Sequence, residues 1–233
     1  MRKYLLVAVM VCLPNLVFAK SNGSYSVVTK YGSETSINYR QTSKPQKWYV
    51  GAHADLSFLS WKNEYTYGSM PDGSDKFDFK PVLGADIALG LEFDENWRAD
   101  LEFGYVGNYS EQETEYYDTY YTEKTDFNLA TMYLTANGFY TFGAGVYAGL
   151  GAGAAIVETS LNHSSLARVS KTKVSPMGAV MLGWSSRMAE KTYFDIRYRL
   201  AAFSGPTLSD IGVKTKIGWI MDNSVSAGIR YEF

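Results

Sequence analysis

The last ten residues of the chain, 224–233, alternate strictly between apolar side chains and small or charged ones. Val225, Ala227, Ile229, Tyr231 and Phe233 are apolar, and Ser, Gly, Arg and Glu stand between them. Because successive side chains of a β-strand point to opposite faces, this period of two predicts a strand with one apolar and one polar face. The run ends on an aromatic residue, which favours a strand that closes a membrane barrel and places a ring at the lipid–water interface.

The same alternation recurs in seven earlier segments. They are residues 48–58, 79–94, 97–105, 126–140, 146–156, 173–188 and 194–200. The segment 126–140 does not keep its apolar residues on one parity, so we expect either a β-bulge or a wrongly assigned facing there.

The predicted connections alternate between short and long. Tight turns are expected at 95–96, 141–143 and 189–191, and long surface loops at 63–78, 109–125, 159–172 and 204–223. We assign 211–220 to the rising edge of the fourth loop. Alternating connections and an even strand count predict an all-β fold, an eight-stranded antiparallel up-and-down transmembrane β-barrel.

The composition agrees with a membrane that is crossed by strands. Aromatic residues make up 15% of the chain, with 19 Tyr, whereas hydrophobic residues make up only 46%. A helical membrane protein would carry long uncharged apolar runs, but a barrel needs only alternate apolar positions. The net charge of −2 gives no reason to expect nucleic acid as a partner.

The N-terminal part predicts export. Residues 1–19 have a charged start, an apolar core and a small residue at the expected cleavage point, which is typical of a signal peptide. The only cysteine, Cys12, lies in this segment. We expect residues 20–46 to form a flexible periplasmic extension and residues 47–233 to form the barrel.

Three motifs resemble one known family, the small outer-membrane β-barrels of the opacity type and the OmpA/OmpX-like type. They are the run 146–153, the pair Tyr198-Arg199 and the ending 228–233. The resemblance implies the outer membrane of a Gram-negative bacterium, and an assembly signal read by the barrel-assembly machinery at Gly228, Ile229, Tyr231 and Phe233.

The resemblance also implies a non-enzymatic monomer that presents loops for adhesion to a host or the environment and supports envelope integrity. Its expected partners are outer-membrane lipid, lipopolysaccharide and a host-surface ligand. Two alternatives stay open, a narrow porin-like channel and a lipid A-modifying enzyme. The second would draw on His163 and Ser165, whose spacing resembles the His-x-Ser arrangement of lipid A deacylase barrels.

The polar faces of the strands predict a charged lumen. Its expected members are Asp55, Asp86, Glu92, Arg98, Asp100, Glu102, Asp195, Arg197, Arg199, Arg230 and Glu232, joined by His53. An eight-stranded barrel has an interior just wide enough for side chains to fill. Since unpaired buried charges are costly, we expect these groups to pair with one another.

The second predicted loop interleaves tyrosines with acidic residues. Its candidate contact residues are Tyr109, Tyr116, Tyr117, Tyr120 and Tyr121. Tyrosine gives a large contact area at low entropic cost, which favours a binding loop; the alternative is a hairpin that continues above the membrane as a solvated ribbon. Asp72, Asp75 and Asp78 lack EF-hand spacing, and we expect no catalytic residue, cofactor or metal.

Overall fold

The computed structural model describes residues 46–67, 70–118, 121–163, 169–210 and 213–233, and the regular structure within these ranges is antiparallel β-strand. The strands are β1 Lys47–Tyr67, β2 Met70–Glu92, β3 Trp97–Asp118, β4 Tyr121–Gly143, β5 Val146–His163, β6 Val169–Ala189, β7 Thr192–Ser204, β8 Thr207–Asp210, β9 Val213–Ile217 and β10 Trp219–Glu232. The predicted signal peptide and extension lie outside the described residues.

Eight of these strands close into a ring. The order β1-β2-β3-β4-β5-β6-β7-β10 returns to β1, because β10 pairs with β1 from Tyr49↔Glu232 to Ser60↔Met221. The amide of Phe233 adds a hydrogen bond of 3.0 Å to the carbonyl of Trp48. The predicted eight-stranded up-and-down barrel is confirmed.

The two faces of the wall differ as the alternation predicts. The outward residues Leu83, Ile87 and Leu150 are 78%, 62% and 69% exposed, whereas Asp86 on the opposite face is 2% exposed. An apolar band of this kind suits contact with lipid. The described residues include no helix that is long and apolar enough to span a membrane.

Three short turns lie at one end of the ring, which we call the short-turn end. In the first, the Asp94 carboxylate accepts hydrogen bonds of 2.8 Å from the amides of Asn96 and Trp97, which fixes the reversal. The second turn lies at Ala144 and Gly145, slightly after the predicted 141–143. Their φ angles of 50° and 81° are the positive values that a tight two-residue hairpin requires.

For the segment 126–140 the second explanation, a wrongly assigned facing, is correct, and a bulge lies on the neighbouring strand instead. β4 alternates without interruption from Phe127 to Phe139, and the register shift is in its partner β3, between Tyr105 and Gly107. The apolar residues of β4 change parity because the upper interior of the barrel is itself apolar. Gly107 has a φ of 102°, so the bulge uses the residue that adopts this conformation without strain.

The predicted long loops are mostly continued strand. The β3–β4 ladder runs on to Asp118↔Tyr121, and the β1–β2 ladder to Tyr67↔Met70. These stretches lose the apolar face because they lie beyond the apolar band, yet their Thr and Tyr content still favours extended backbone. We call this side of the ring the long-hairpin end.

The fourth connection contains a small hairpin. β8 pairs with β9, and β9 pairs with the upper part of β1 from Asn63↔Ile217 to Tyr67↔Val213. In the described part of the predicted rising edge, residues 213–217 therefore form a separate strand and residues 219–220 begin β10.

Candidate functional site

The lumen is a candidate site because charged side chains from most of the wall strands converge there. All eleven sequence-predicted members lie on inward positions of their strands, and nine are less than a tenth exposed. Asp100 and Glu92 are half-buried. The charges occupy the half of the barrel nearer the short-turn end.

Glu102 is the centre of the network. Its Oε2 accepts a hydrogen bond from Nη1 of Arg197 at 2.6 Å, and its Oε1 accepts one from Nη1 of Arg199 at 2.9 Å. The hydroxyl of Tyr133 also donates to Oε1, at 2.9 Å. One carboxylate thus accepts hydrogen bonds from two guanidinium groups in a site that is 1% exposed, which is the geometry that makes a buried charge tolerable.

The two arginines reach further acids. Arg197 Nη2 lies 2.7 Å from Oδ2 of Asp86, and Arg199 Nη2 lies 3.3 Å from Oδ2 of Asp222. The other oxygen of Asp86 lies 2.7 Å from Nδ1 of His53. Asp222 was missed by the sequence analysis, although its position in register with Ser224 and Ser226 on the inward face of the last strand could have identified it.

Asp55 lies beside this network without joining it. It is 2% exposed, and neither of its carboxylate oxygens accepts a hydrogen bond from the described residues. Its carboxyl group lies within electrostatic range of Arg197 and Arg199, and also of the acids Asp86 and Glu102.

A second group of charges lies closer to the short-turn end. Arg98 stacks over the ring of Tyr147 at 4.1 Å and lies 3.7 Å from Asp195. Asp100 accepts hydrogen bonds from the hydroxyl of Tyr49 at 2.9 Å and from Asn137 at 2.8 Å. The tyrosines and Asn137 were missed, and their inward parity is the signal that places them here.

The mouth at the short-turn end is open to solvent. Arg230 pairs with Glu92 and stacks over Tyr193 at 4.6 Å, and Lys47 bonds Glu232 at 3.0 Å. A cavity of about 340 Å³ lies between these groups and the first turn. The cavity ends where the charged network fills the lumen.

The other half of the lumen is apolar, which the sequence analysis did not predict. Buried side chains from all eight wall strands and from β9 form one cluster there. Its largest members are Leu59, Trp61, Tyr109, Phe127, Leu129, Tyr133, Phe203, Ile217 and Ile220. Trp61 packs edge-on against Tyr109 at 4.9 Å and stacks on Phe127 at 5.8 Å. The change of apolar parity in β4 is the signal that could have revealed this cluster.

Tyr109 is not an exposed loop contact, so that prediction is wrong. It is 2% exposed and points into the lumen, because the bulge at Gly107 moves the inward parity of β3 from even to odd positions. Its hydroxyl donates a 2.6 Å hydrogen bond to Glu111.

The other candidate contacts lie at the end of the β3–β4 hairpin. Tyr116 pairs with Thr122, and Tyr121 pairs with Asp118, next to Tyr117. Tyr120 lies outside the described residues. Ser165 and the side chain of His163 also lie outside them, and the backbone of His163 ends β5 opposite Thr125.

The residues of the predicted assembly signal lie on the closing strand. Ile229, Tyr231 and Phe233 are 53%, 45% and 60% exposed on the outward face. Gly228 lies on the inward face, where a Cβ would overlap the carbonyl oxygen of Ala52 and the ring of His53. The glycine thus allows β10 to lie close to β1.

Within the described ranges, no group of three or more His, Cys, Asp or Glu side chains could hold a metal ion. The polar side chains that meet in the lumen are acids, arginines and tyrosine hydroxyls. In the group around Glu102, the paired side chains of Asp86, Glu102, Arg197 and Arg199 are almost fully buried.

The chain is similar to several proteins of known structure. It is similar to the surface protein NspA of Neisseria, with 18% identity, 80% of this chain and 97% of that chain covered, and a TM-score of 0.44. It is similar to Ail, the attachment invasion locus protein of Yersinia pestis, solved with the heparin analogue sucrose octasulfate, with 16% identity, 78% and 99% covered, and a TM-score of 0.42. It is also similar to OprG of Pseudomonas aeruginosa, with 13% identity, 81% and 95% covered, and a TM-score of 0.44.

No curated protein matched in a search with the sequence. The family model described as "Outer membrane protein beta-barrel domain" matches residues 6–233, which is nearly the whole chain. The chain therefore belongs to the outer-membrane β-barrel domain family, and its location is the outer membrane of a Gram-negative bacterium.

Proposed function

We propose that this barrel is a non-enzymatic surface protein that holds β-hairpins outside the cell for contact with a host or the environment. In outer-membrane barrels the short turns face the periplasm and the long connections face outward. The observation that carries the proposal is the β3–β4 ladder, which continues from Asn108↔Ala130 to Asp118↔Tyr121 beyond the apolar band. At about 3.4 Å per residue, this paired stretch extends the hairpin by roughly 34 Å along the strand direction.

The end of this hairpin has the composition of a contact surface. Residues 113–123 contain four tyrosines, three glutamates and one aspartate. A paired ribbon holds them with less freedom than an open loop, so less entropy is lost when a partner binds. The acidic character favours a partner with a basic surface.

The two alternatives receive less support. A channel needs an open lumen, but the apolar cluster fills the outer half and the ion-paired network fills the other. An enzyme that modifies lipid A would need reactive groups on the outward face at the lipid level. At the level of the apolar band, the charged groups of the described strands point inward instead.

The adhesion of bacteria that display the chain to epithelial cells tests the proposal. A laboratory Gram-negative strain that displays the chain should bind cultured epithelial monolayers more strongly than the same strain without it. Replacing residues 114–124 by Asn-Gly, between the paired residues Glu113 and Thr125, gives a two-residue turn that keeps the register and should abolish the excess binding.

A second variant keeps the hairpin length and changes Tyr116, Tyr117, Tyr120 and Tyr121 to Ser. It should also lose the excess binding, while surface level and heat-dependent gel mobility stay unchanged in both variants. Equal adhesion of the shortened variant and the wild type would refute the proposal. Mass spectrometry of lipid A from the same cells should show unchanged acyl chains.

The closing strand supports a related proposal on assembly. We infer that Gly228, Ile229, Tyr231 and Phe233 form the signal read by the barrel-assembly machinery, since three of them face outward at the seam between the first and last strands. Deleting Phe233 should reduce the yield of folded, heat-modifiable protein. An unchanged yield would contradict this assignment.

A further inference from the structure

Four exposed lysines share the outward face of three neighbouring strands above the apolar band. Lys62 is on β1, Lys76 on β2, and Lys214 and Lys216 on β9. Lys62 lies directly opposite Lys76, Lys216 opposite Glu64 and Lys214 opposite Thr66. We call these four side chains the lysine row.

The lysine row lies at the depth of lipid headgroups. The outward apolar face of β1 runs from Trp48 to Phe58, and Lys62 follows four residues later. With about 3.3 Å per residue and a strand tilt of about 40°, Lys62 stands roughly 10 Å above Phe58. Trp219, which is 64% exposed, follows Gly218, whose amide donates a 2.9 Å hydrogen bond to the carbonyl of Lys62. An outward tryptophan at this level is typical of the membrane interface.

The row carries more positive charge than its described neighbours neutralise. Among the side chains that the structure describes, its ion pair is Lys216 with Glu64 at 3.1 Å. Lys62 and Lys76 are cross-strand partners, and like charges directly opposite one another destabilise a sheet. An anion between the two ammonium groups would turn this repulsion into attraction.

We propose that the lysine row binds the phosphate groups of lipopolysaccharide in the outer leaflet. Each ammonium group offers three donors to phosphate oxygens, and basic side chains near an anionic membrane surface add affinity cumulatively. The apolar face directly below, from Phe58 downward, lies where the acyl chains of the same lipid would pack. A free anion would gain nothing from that apolar face, so the geometry favours the lipid over soluble phosphate.

Binding measurements on the full chain in detergent test this site. The probes are lipopolysaccharide, the same material after enzymatic dephosphorylation, and inorganic phosphate. The double variant Lys62→Gln/Lys76→Gln should bind lipopolysaccharide about 30-fold more weakly than the wild type. The control Lys191→Gln, an exposed lysine in a turn at the opposite end, should bind as the wild type does.

Dephosphorylation should weaken wild-type binding by at least a similar factor. It should weaken binding of the double variant less, because only Lys214 and Lys216 remain there to contact phosphate. Inorganic phosphate should not displace the lipid. Equal affinity of the double variant and the wild type would overturn the proposal, and so would equal binding of dephosphorylated lipid. Displacement by inorganic phosphate would show a free-anion site and would also overturn it.

The stability of the Lys76→Gln variant provides a second test, because the expected change relative to the wild type differs in sign between two membranes. In phosphatidylcholine bilayers the Lys76→Gln variant should be as resistant to urea as the wild type or more so, because a repulsion is removed. In bilayers that contain lipopolysaccharide it should be less resistant than the wild type. A change in urea resistance of the same sign and size in both membranes would contradict the proposed lipopolysaccharide site. The adhesion test concerns another hairpin, so either proposal can fail without the other.

Discussion

At the residue scale, the lumen network depends on one carboxylate that pairs with two cations. Glu102 holds both Arg197 and Arg199, so its loss would leave two buried guanidinium groups short of an acid. We expect Glu102→Leu to lower the free energy of unfolding by about 3–5 kcal/mol. Urea titration in lipid vesicles, followed by tryptophan fluorescence, measures this.

A matched substitution at an exposed acid provides the control. Glu64→Gln removes an ion pair in which both side chains are at least half exposed, so it should cost no more than about 1 kcal/mol. If Glu102→Leu does not fold, the isosteric variant Glu102→Gln, which keeps one acceptor oxygen, should fold with a smaller loss of the same sign. If Glu64→Gln and Glu102→Leu lowered the free energy of unfolding by equally small amounts, the ion-paired network would contribute little to stability.

At the element scale, one glycine determines which side chains in the upper part of β3 point into the lumen. Gly107 has a φ of 102°, and a Cβ there would overlap the carbonyl oxygen of Leu83 on β2. We expect Gly107→Val to destabilise the barrel by at least about 1–3 kcal/mol, the usual range for a residue held in a strained backbone conformation.

Gly138 is the matched control because it lies exposed on β4, and a Cβ added there would meet no atom of another strand within 4 Å. Gly138→Val should be neutral or slightly stabilising, since valine suits a strand that faces lipid. Urea titrations of both variants in vesicles give the comparison. If Gly138→Val lowered the free energy of unfolding as much as Gly107→Val, valine would be destabilising at either position. The bulge would then have no special role.

The sequence predicted the elements where lipid and packed polar groups lie on opposite faces. In β1 the outward Val50 and the inward Asp55 follow the period of two, since a one-residue slip would expose the charge to lipid. The bulge escaped prediction because β4 has apolar residues on both faces, Phe127 inward and Met132 outward. The partners of Glu102 escaped it as well, because pairing between β3 and β7 depends on closure of the ring.

At the scale of the whole molecule, two different seals close the same lumen. The outer half is filled by the apolar cluster, and the half nearer the periplasm by the ion-paired network. Water and ions would have to displace packed side chains in one half and break buried ion pairs in the other. Loss of one of the two fillings should therefore not open the lumen.

Planar bilayer recordings test this double closure. The wild type should show no steady openings, and the triple variant Phe127→Ala/Leu129→Ala/Phe203→Ala should stay equally silent, because the ion-paired half still blocks the path. The triple variant should nevertheless unfold at lower urea, since each large-to-small substitution leaves a cavity. Steps of uniform size in the wild type, absent from extracts of cells without the protein, would show a conducting path and favour the channel alternative. Steps in the triple variant alone would show that the apolar cluster is the only seal.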